Sequence, residues 1–131
     1  MYTMSKYSET SHPHSNLTKQ IIGIAIEVHK QIGPEFREKY YQRAMYLDLQ
    51  KSELKFAREK KIKIPYRNTV LGYHIVDFLI EDKVIVELKS MKAVTSVEVG
   101  QLTTYLKLTN IQIGLLLNFG TPTLEIKRVK I

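Results

Sequence analysis

Leu17, Ile21, Ile24, Ala25, Val28 and Ile32 recur at the three- and four-residue steps that line one face of a helix. Asn16 or Thr18 can cap its start, and Gly33-Pro34 stops it. Phe36, Tyr40, Ala44 and Leu47 mark a second amphipathic helix, running from about Glu35 into the middle fifties. Lys61-Ile62-Lys63-Ile64 alternates like a strand with one wet face and is expected to end at Pro65. Two further strands, roughly 73 to 80 and 84 to 90, flank the polar turn Glu81-Asp82-Lys83 and predict a hairpin. Helical character returns from about Thr95 to Leu108. The run IQIGLLLNF then reads as a strand covered on both faces, and Leu124 and Ile126 open a last alternating strand.

The element order is therefore α-α-β-β-β-α-β-β, a mixed α/β domain in one layered unit. Strand, helix and buried strand in succession predict a right-handed crossover, which would set strand 111 to 117 parallel to strand 84 to 90. Residues 1 to 15 are polar and aperiodic, with His12-Pro13-His14 as a breaker. They are expected to be a flexible tail, leaving residues 16 to 131 as the folded domain.

Composition narrows the chemistry. With 131 residues, 44% of them hydrophobic and 25% charged, the chain has the size and balance of one globular domain. No apolar run reaches the roughly 20 residues that span a bilayer, and the first residues lack a secretory apolar stretch, so no membrane association and a cytoplasmic location are expected. The absence of cysteine excludes disulfides and thiolate metal sites. Any metal would have oxygen or imidazole ligands, which favours hard cations such as Mg²⁺. The net charge of +7 suits a polyanionic partner. Part of it is concentrated in KSELKFAREKKIK, residues 51 to 63, a run that by itself reads equally well as a solvated helix end.

Against this background the acids stand out. Asp77 lies in the apolar stretch HIVDFLI, and Glu87 and Lys89 lie in VIVELKS. A buried carboxylate is costly without a cation or hydrogen bonds to offset it. Directly opposed residues of an antiparallel hairpin share a face. A three-residue turn at Glu81, Asp82 and Lys83 sets Ile80 opposite Val84 and hence Asp77 opposite Glu87, whereas a two-residue turn would put the acids on opposite faces. Two carboxylates can hold Mg²⁺, which polarises a phosphoryl oxygen and acidifies water, while a lysine two residues along the strand stabilises developing charge. The same pattern by itself also fits an ion pair on a strand surface.

The D…ExK arrangement on a hairpin, followed by a helix and a buried strand, resembles the PD-(D/E)XK nuclease superfamily, with Asp77, Glu87 and Lys89 at its signature positions. Gln101 and Tyr105 match the QxxxY helix motif of the lambda-exonuclease and RecB-like branch, and their spacing puts both side chains on one helical face. LTKQIIGIAIEVHKQIGPEF, Glu38 and Tyr41, DFLIEDKVIVELKS, QLTTYLK and IGLLLNFGTPTLEIKR together resemble the GxxExxY family within that superfamily, over roughly residues 17 to 131. The chain departs from the pattern at Glu35, which replaces the family's leading glycine, at Gln42, where an acid is common, and at Val76, where the superfamily name has proline.

The resemblance implies a restriction-endonuclease-like core, a mixed β-sheet flanked by helices. It also implies a Mg²⁺-dependent nuclease, with Mn²⁺ as a substitute, acting on nucleic acid and on DNA first. Asp77, Glu87 and Glu38 would be metal ligands, Glu38 directly or through water. Lys89 would stabilise charge, and Gln101 and Tyr105 would orient water or contact a phosphate. Tyr41 and Gln42 would share the face of Glu38. His29, in the EVH segment common to the family, is expected to be a hydrogen-bonded core residue. A homodimer is compatible with cutting two strands. The alternatives are a non-catalytic nucleic-acid- or protein-binding module that keeps the fold, using the basic run and Lys127, Arg128 and Lys130, or a small subunit of a larger assembly.

Overall fold

Among the described residues three helices and five strands follow one another as α1 (Ser15–Ile32), α2 (Glu38–Lys51), β1 (Phe56–Tyr66), β2 (Thr69–Ile80), β3 (Val84–Lys89), α3 (Ser96–Thr109), β4 (Ile113–Asn118) and β5 (Glu125–Lys130). This computed structural model describes residues 13–131; residues 1–12, which hold His12 and most of the expected tail, lie outside the described residues.

The strands form one sheet in the order β1-β2-β3-β4-β5, antiparallel except for β3 and β4. Those two run parallel from Val84↔Ile113 to Lys89↔Asn118, as the strand-helix-strand step predicts. Helices α1 and α2 cover one face, where Ile21, Ala25, Val28, Tyr41, Met45 and Leu49 pack on Phe78, Ile80, Val84, Val86 and Leu88. Helix α3 covers the other, with Leu102, Tyr105 and Leu106 against Val76, Leu79, Ile85 and Leu116. All six residues of β4 are buried, which accounts for its unbroken apolar run. At Gly114 an added Cβ would sit 2.9 Å from the Leu102 side chain, so the missing side chain lets α3 approach the sheet.

Several boundaries differ from those read in the sequence, each for a local reason. Helix α1 is capped by neither Asn16 nor Thr18. His14 occupies the N-cap in a left-handed conformation, its carbonyl accepts from the Thr18 N–H at 2.9 Å, and the Thr18 hydroxyl donates to the Ser15 carbonyl at 3.1 Å. Gly33, at φ 83°, ends the helix where a residue with a Cβ would be strained. Helix α2 stops at Lys51, short of the middle fifties, because the Ser52 N–H and hydroxyl both bond the Leu49 carbonyl and the chain turns out of the helix.

The basic run is therefore mostly strand. β1 begins at Phe56, which pairs with Ile80, and β2 begins at Thr69. Pro65 does not end β1: it lies on the sheet's edge, where no ladder donor is required, and a register shift between Ile64 and Pro65 accommodates it. Among the described residues no helix is long and apolar enough to cross a membrane.

Candidate active site

The hairpin register is the one that a three-residue turn dictates. Lys83 N–H donates to the Ile80 carbonyl at 3.0 Å, Glu81 and Asp82 both sit near φ 54°, and the ladder runs Ile80↔Val84, Leu79↔Ile85, Phe78↔Val86. Asp77 and Glu87 are next in that register, but the backbone ladder does not continue through them. Side chains take its place: Asp77 N–H donates to Glu87 Oε1 at 3.1 Å, and Leu88 N–H donates to Asp77 Oδ2 at 2.8 Å. Each acid thus satisfies a backbone donor on the opposite strand that the parting of β2 from β3 would otherwise orphan.

At the same point the strands exchange faces. Phe78 and Ile80 belong to the cluster under α1 and α2, yet Val76, two residues before Phe78, belongs to the cluster under α3. In a regular strand these three would share a face. β1 changes likewise: Arg58 reaches residues of α2, whereas Ile62 packs with the α3 cluster, and Glu59 between them has φ 56°. The acids sit where the β1–β2 ribbon swings away from β3, in a recess reached by α2 from one side and α3 from the other.

Helix α2 contributes Gln42, whose Nε2 donates to Asp77 Oδ1 at 2.6 Å and whose Oε1 accepts from Arg58 Nε at 3.0 Å. Arg58 lies over the Tyr46 ring, 4.4 Å from its centroid. Glu38, one turn before Gln42, is exposed at the rim and close enough for its charge to couple to Asp77 and Lys89. Tyr41 does not share this face. It is fully buried, stacks on Phe119 at 4.6 Å, and its hydroxyl donates to the Gly33 carbonyl and accepts from Phe36 N–H, fastening the α1–α2 connection.

From the other side His74 stacks on Tyr105 at 3.9 Å between centroids, and its Nε2 lies 3.3 Å from Glu87 Oε2. Tyr105 is therefore a wall of the recess; Gln101 is exposed one turn earlier and hydrogen-bonds toward it. Lys89 ends β3, half-buried, opposite Asn118. Buried Asn118 holds the segment that follows Lys89: its amide donates to the Met91 carbonyl, and its Oδ1 accepts from Met91 N–H. His29 is a core residue bonded to the Thr121 carbonyl at 2.8 Å.

Arg58 and His74 are the members of this constellation that the sequence does not single out for it, the only signal being the position of His74 in the same strand as Asp77. Gln42 lies on the face of Glu38, as its helical spacing predicts, and its partner there is Asp77.

The electrostatics follow from burial of like charges. Glu87, 5% exposed, has its pKa pushed up from 4.5 to about 8, first by desolvation and then by Asp77, with the Asp77 N–H and Lys89 opposing. Desolvation also raises Asp77, against the Leu88 N–H, Gln42 and Lys89. Glu38 is raised by the protein around it and then by Asp77. His74 is lowered by desolvation and Lys89, which favours the neutral imidazole. Lys89 is the cation common to all four groups, and one ammonium does not balance three acids.

Such a recess is short of positive charge, which is the condition a divalent cation relieves. Asp77 Oδ1 and Oδ2 and Glu87 Oε1 each accept one hydrogen bond and keep a second lone pair, and Glu87 Oε2 lies 3.3 Å from His74 Nε2. Among the described residues no group of three or more His, Asp or Glu side chains is gathered around one point. The donor set that fits is therefore a carboxylate pair completed by water, as is common for Mg²⁺.

A mixed five-stranded sheet between helices, with two acids and a lysine at a hairpin's root, defines a nuclease-like α/β domain. Residues 15–129 match the family model of the PD-(D/E)XK nuclease superfamily, and the chain belongs to that superfamily. Nucleases of this group generally use divalent metal ions. No curated protein and no solved structure matches the chain significantly.

Proposed function

We propose that this protein hydrolyses phosphodiester bonds of DNA, using Mg²⁺, or Mn²⁺ in its place, held by Asp77 and Glu87. The observation that carries this reading is the interlocked acid pair at the parting of β2 and β3, desolvated, mutually repelling and served by Lys89. A bound divalent ion would polarise the scissile phosphate and acidify a water. Asp77 is oriented by Leu88 N–H and Gln42, and Glu87 by Asp77 N–H and His74. The Lys89 ammonium stabilises negative charge developing on the phosphate. Glu38 orients water at the rim, and Tyr105 with Gln101 keeps the α3 side of the recess in place. Glu38 and Tyr41 support the finer assignment to the GxxExxY family.

The test is cleavage of labelled DNA and RNA with Mg²⁺ or Mn²⁺ by the wild type, Glu87→Gln and Lys89→Ala. Wild type should cut DNA, and each variant should lose roughly 100-fold or more, the scale for removing one charge-stabilising group. Unchanged cutting by both variants rejects these roles.

One observation favours a second reading, a binding module without catalysis. Three of the four carboxyl oxygens of the pair accept hydrogen bonds, the fourth is paired with His74 Nε2, and among the described residues no third acid closes on them. Salt-sensitive binding with no metal-dependent cleavage would select it. Within that reading Arg128 contributes less than Lys127 and Lys130, because it donates to the Pro13 carbonyl at 2.6 Å.

A further inference from the structure

Beyond the recess, β1 and β2 continue as a two-stranded ribbon whose two faces differ. Ile62 and His74, directly paired, turn inward, Ile62 into the α3 cluster and His74 onto Tyr105. The outward face holds the pairs Lys61↔Ile75 and Lys63↔Tyr73, with Leu71 next along β2. Leu71, Tyr73 and Ile75 are 66%, 54% and 51% exposed, and Tyr66 near the tip is 52% exposed. That is far more apolar surface than a solvated strand face needs, and nothing among the described residues covers it.

Charge decides what does. From Lys60 to Val76 the chain has Lys60, Lys61, Lys63 and Arg67 and no acid. The cations stand beside the rings: Lys61 Nζ is 5.7 Å from the Tyr73 centroid, and the Arg67 guanidinium is 5.2 Å from that of Tyr66. A second copy docking by twofold symmetry would bring like against like, an acid-free basic face onto itself. A polyanion with flat apolar faces meets both features at once. Bases paired in a duplex hide their faces, so the tyrosines select unpaired bases, as in proteins that bind single strands through alternating basic and aromatic side chains.

We propose that the β1–β2 ribbon is a binding arm for single-stranded or frayed nucleic acid, Lys61 and Lys63 holding phosphates and Tyr73 stacking on a base. This rests on the nuclease reading and extends it, because the arm grows out of the acid recess. Tyr73 is four residues from Asp77 along β2, roughly 13 Å at the rise of an extended strand. A strand lying on the arm would therefore present a phosphate to the recess a few nucleotides from the stacked base.

The test is fluorescence anisotropy of the full chain in EDTA with a short labelled single strand and its duplex, over a range of salt. Lys61→Ala with Lys63→Ala should lower the salt slope for the single strand by about 1.4, at about 0.7 per phosphate contact. Tyr73→Ala should weaken single-strand binding roughly 5- to 150-fold, with less effect on the duplex, and Tyr73→Phe should restore it. All three positions are exposed, so unfolding scans should match the wild type.

Wild-type affinity in these variants would overturn the arm. So would a change confined to self-association in sedimentation or to binding of anionic vesicles. Metal-dependent cleavage by wild type with unchanged binding in the variants removes the arm and leaves the nuclease standing; neither binding nor cleavage by wild type removes both.

Discussion

Replacing Glu87 by Gln tests the electrostatic core of the site through folding stability alone. The folded pKa near 8 against 4.5 means that the folded chain holds this proton more tightly than the unfolded one. The contribution to stability is then fully present below about pH 4.5 and is lost as pH rises toward about 8. At about 1.4 kcal/mol per unit the whole interval corresponds to roughly 5 kcal/mol, a large share of the 5–15 kcal/mol that holds a domain folded. Gln resembles the protonated acid in shape: its oxygen can still accept the Asp77 N–H. It removes both the desolvated charge and its repulsion of Asp77.

In urea unfolding without metal, Glu87→Gln should match the wild type within about 1 kcal/mol near pH 5 and exceed it by several kcal/mol near pH 9. The lowered pKa of His74 works the other way, adding stability as pH rises through the imidazole range; because His74 touches Glu87, the same comparison in a His74→Gln background separates its share. A difference between the two proteins that stays constant from about pH 5 to about pH 9 would refute the reasoning.

Two further outcomes follow. Mg²⁺ at a hundredfold excess over its dissociation constant should stabilise the wild type near pH 8 by about 2.7 kcal/mol, read as a rise of several degrees in thermal midpoint. Glu87→Gln should show little of that rise, and an equal rise would place the ion elsewhere. Gly120→Ala should destabilise by about 1–3 kcal/mol, because its Cβ would run into the backbone N and O of Met91, which cannot swing aside as a side-chain end can. A wild-type midpoint in urea would show that this close approach is dispensable.

The parts of the molecule legible in the sequence are those fixed by neighbouring residues. The length of the Glu81-Asp82-Lys83 turn sets the hairpin register, so the facing of Asp77 and Glu87 could be reasoned from counting, and the six buried residues of β4 announce a strand covered twice. What stayed hidden depends on distant partners. The alternation predicts β1 only from Lys61, because Phe56–Lys60 mixes charges with apolar residues and finds its order only in pairing with β2. Gln42 and Arg58 are separated by 16 positions and meet at Asp77 only because α2 packs across the sheet. His74 looked like one more residue of an alternating strand until the ribbon turned it onto Tyr105.

That the same two acids serve both the fold and the site bears on why they are acids. Where β2 parts from β3, the freed N–H groups of Asp77 and Leu88 need acceptors, and Asp77 and Glu87 provide them. Amide side chains would provide them equally, since asparagine and glutamine carry an acceptor oxygen of the same reach and no charge to desolvate. A purely structural role would therefore be better served by the double substitution Asp77→Asn with Glu87→Gln, and the fold would be more stable for it near neutral pH. The sequence instead places two carboxylates that push each other's pKa upward, with a single lysine beside them. Strain of this kind at the root of a recess is the physical signature of a site that spends stability on charge. The hydrogen bonds explain why something polar stands at 77 and 87; the cation proposed above would explain why both positions are acidic.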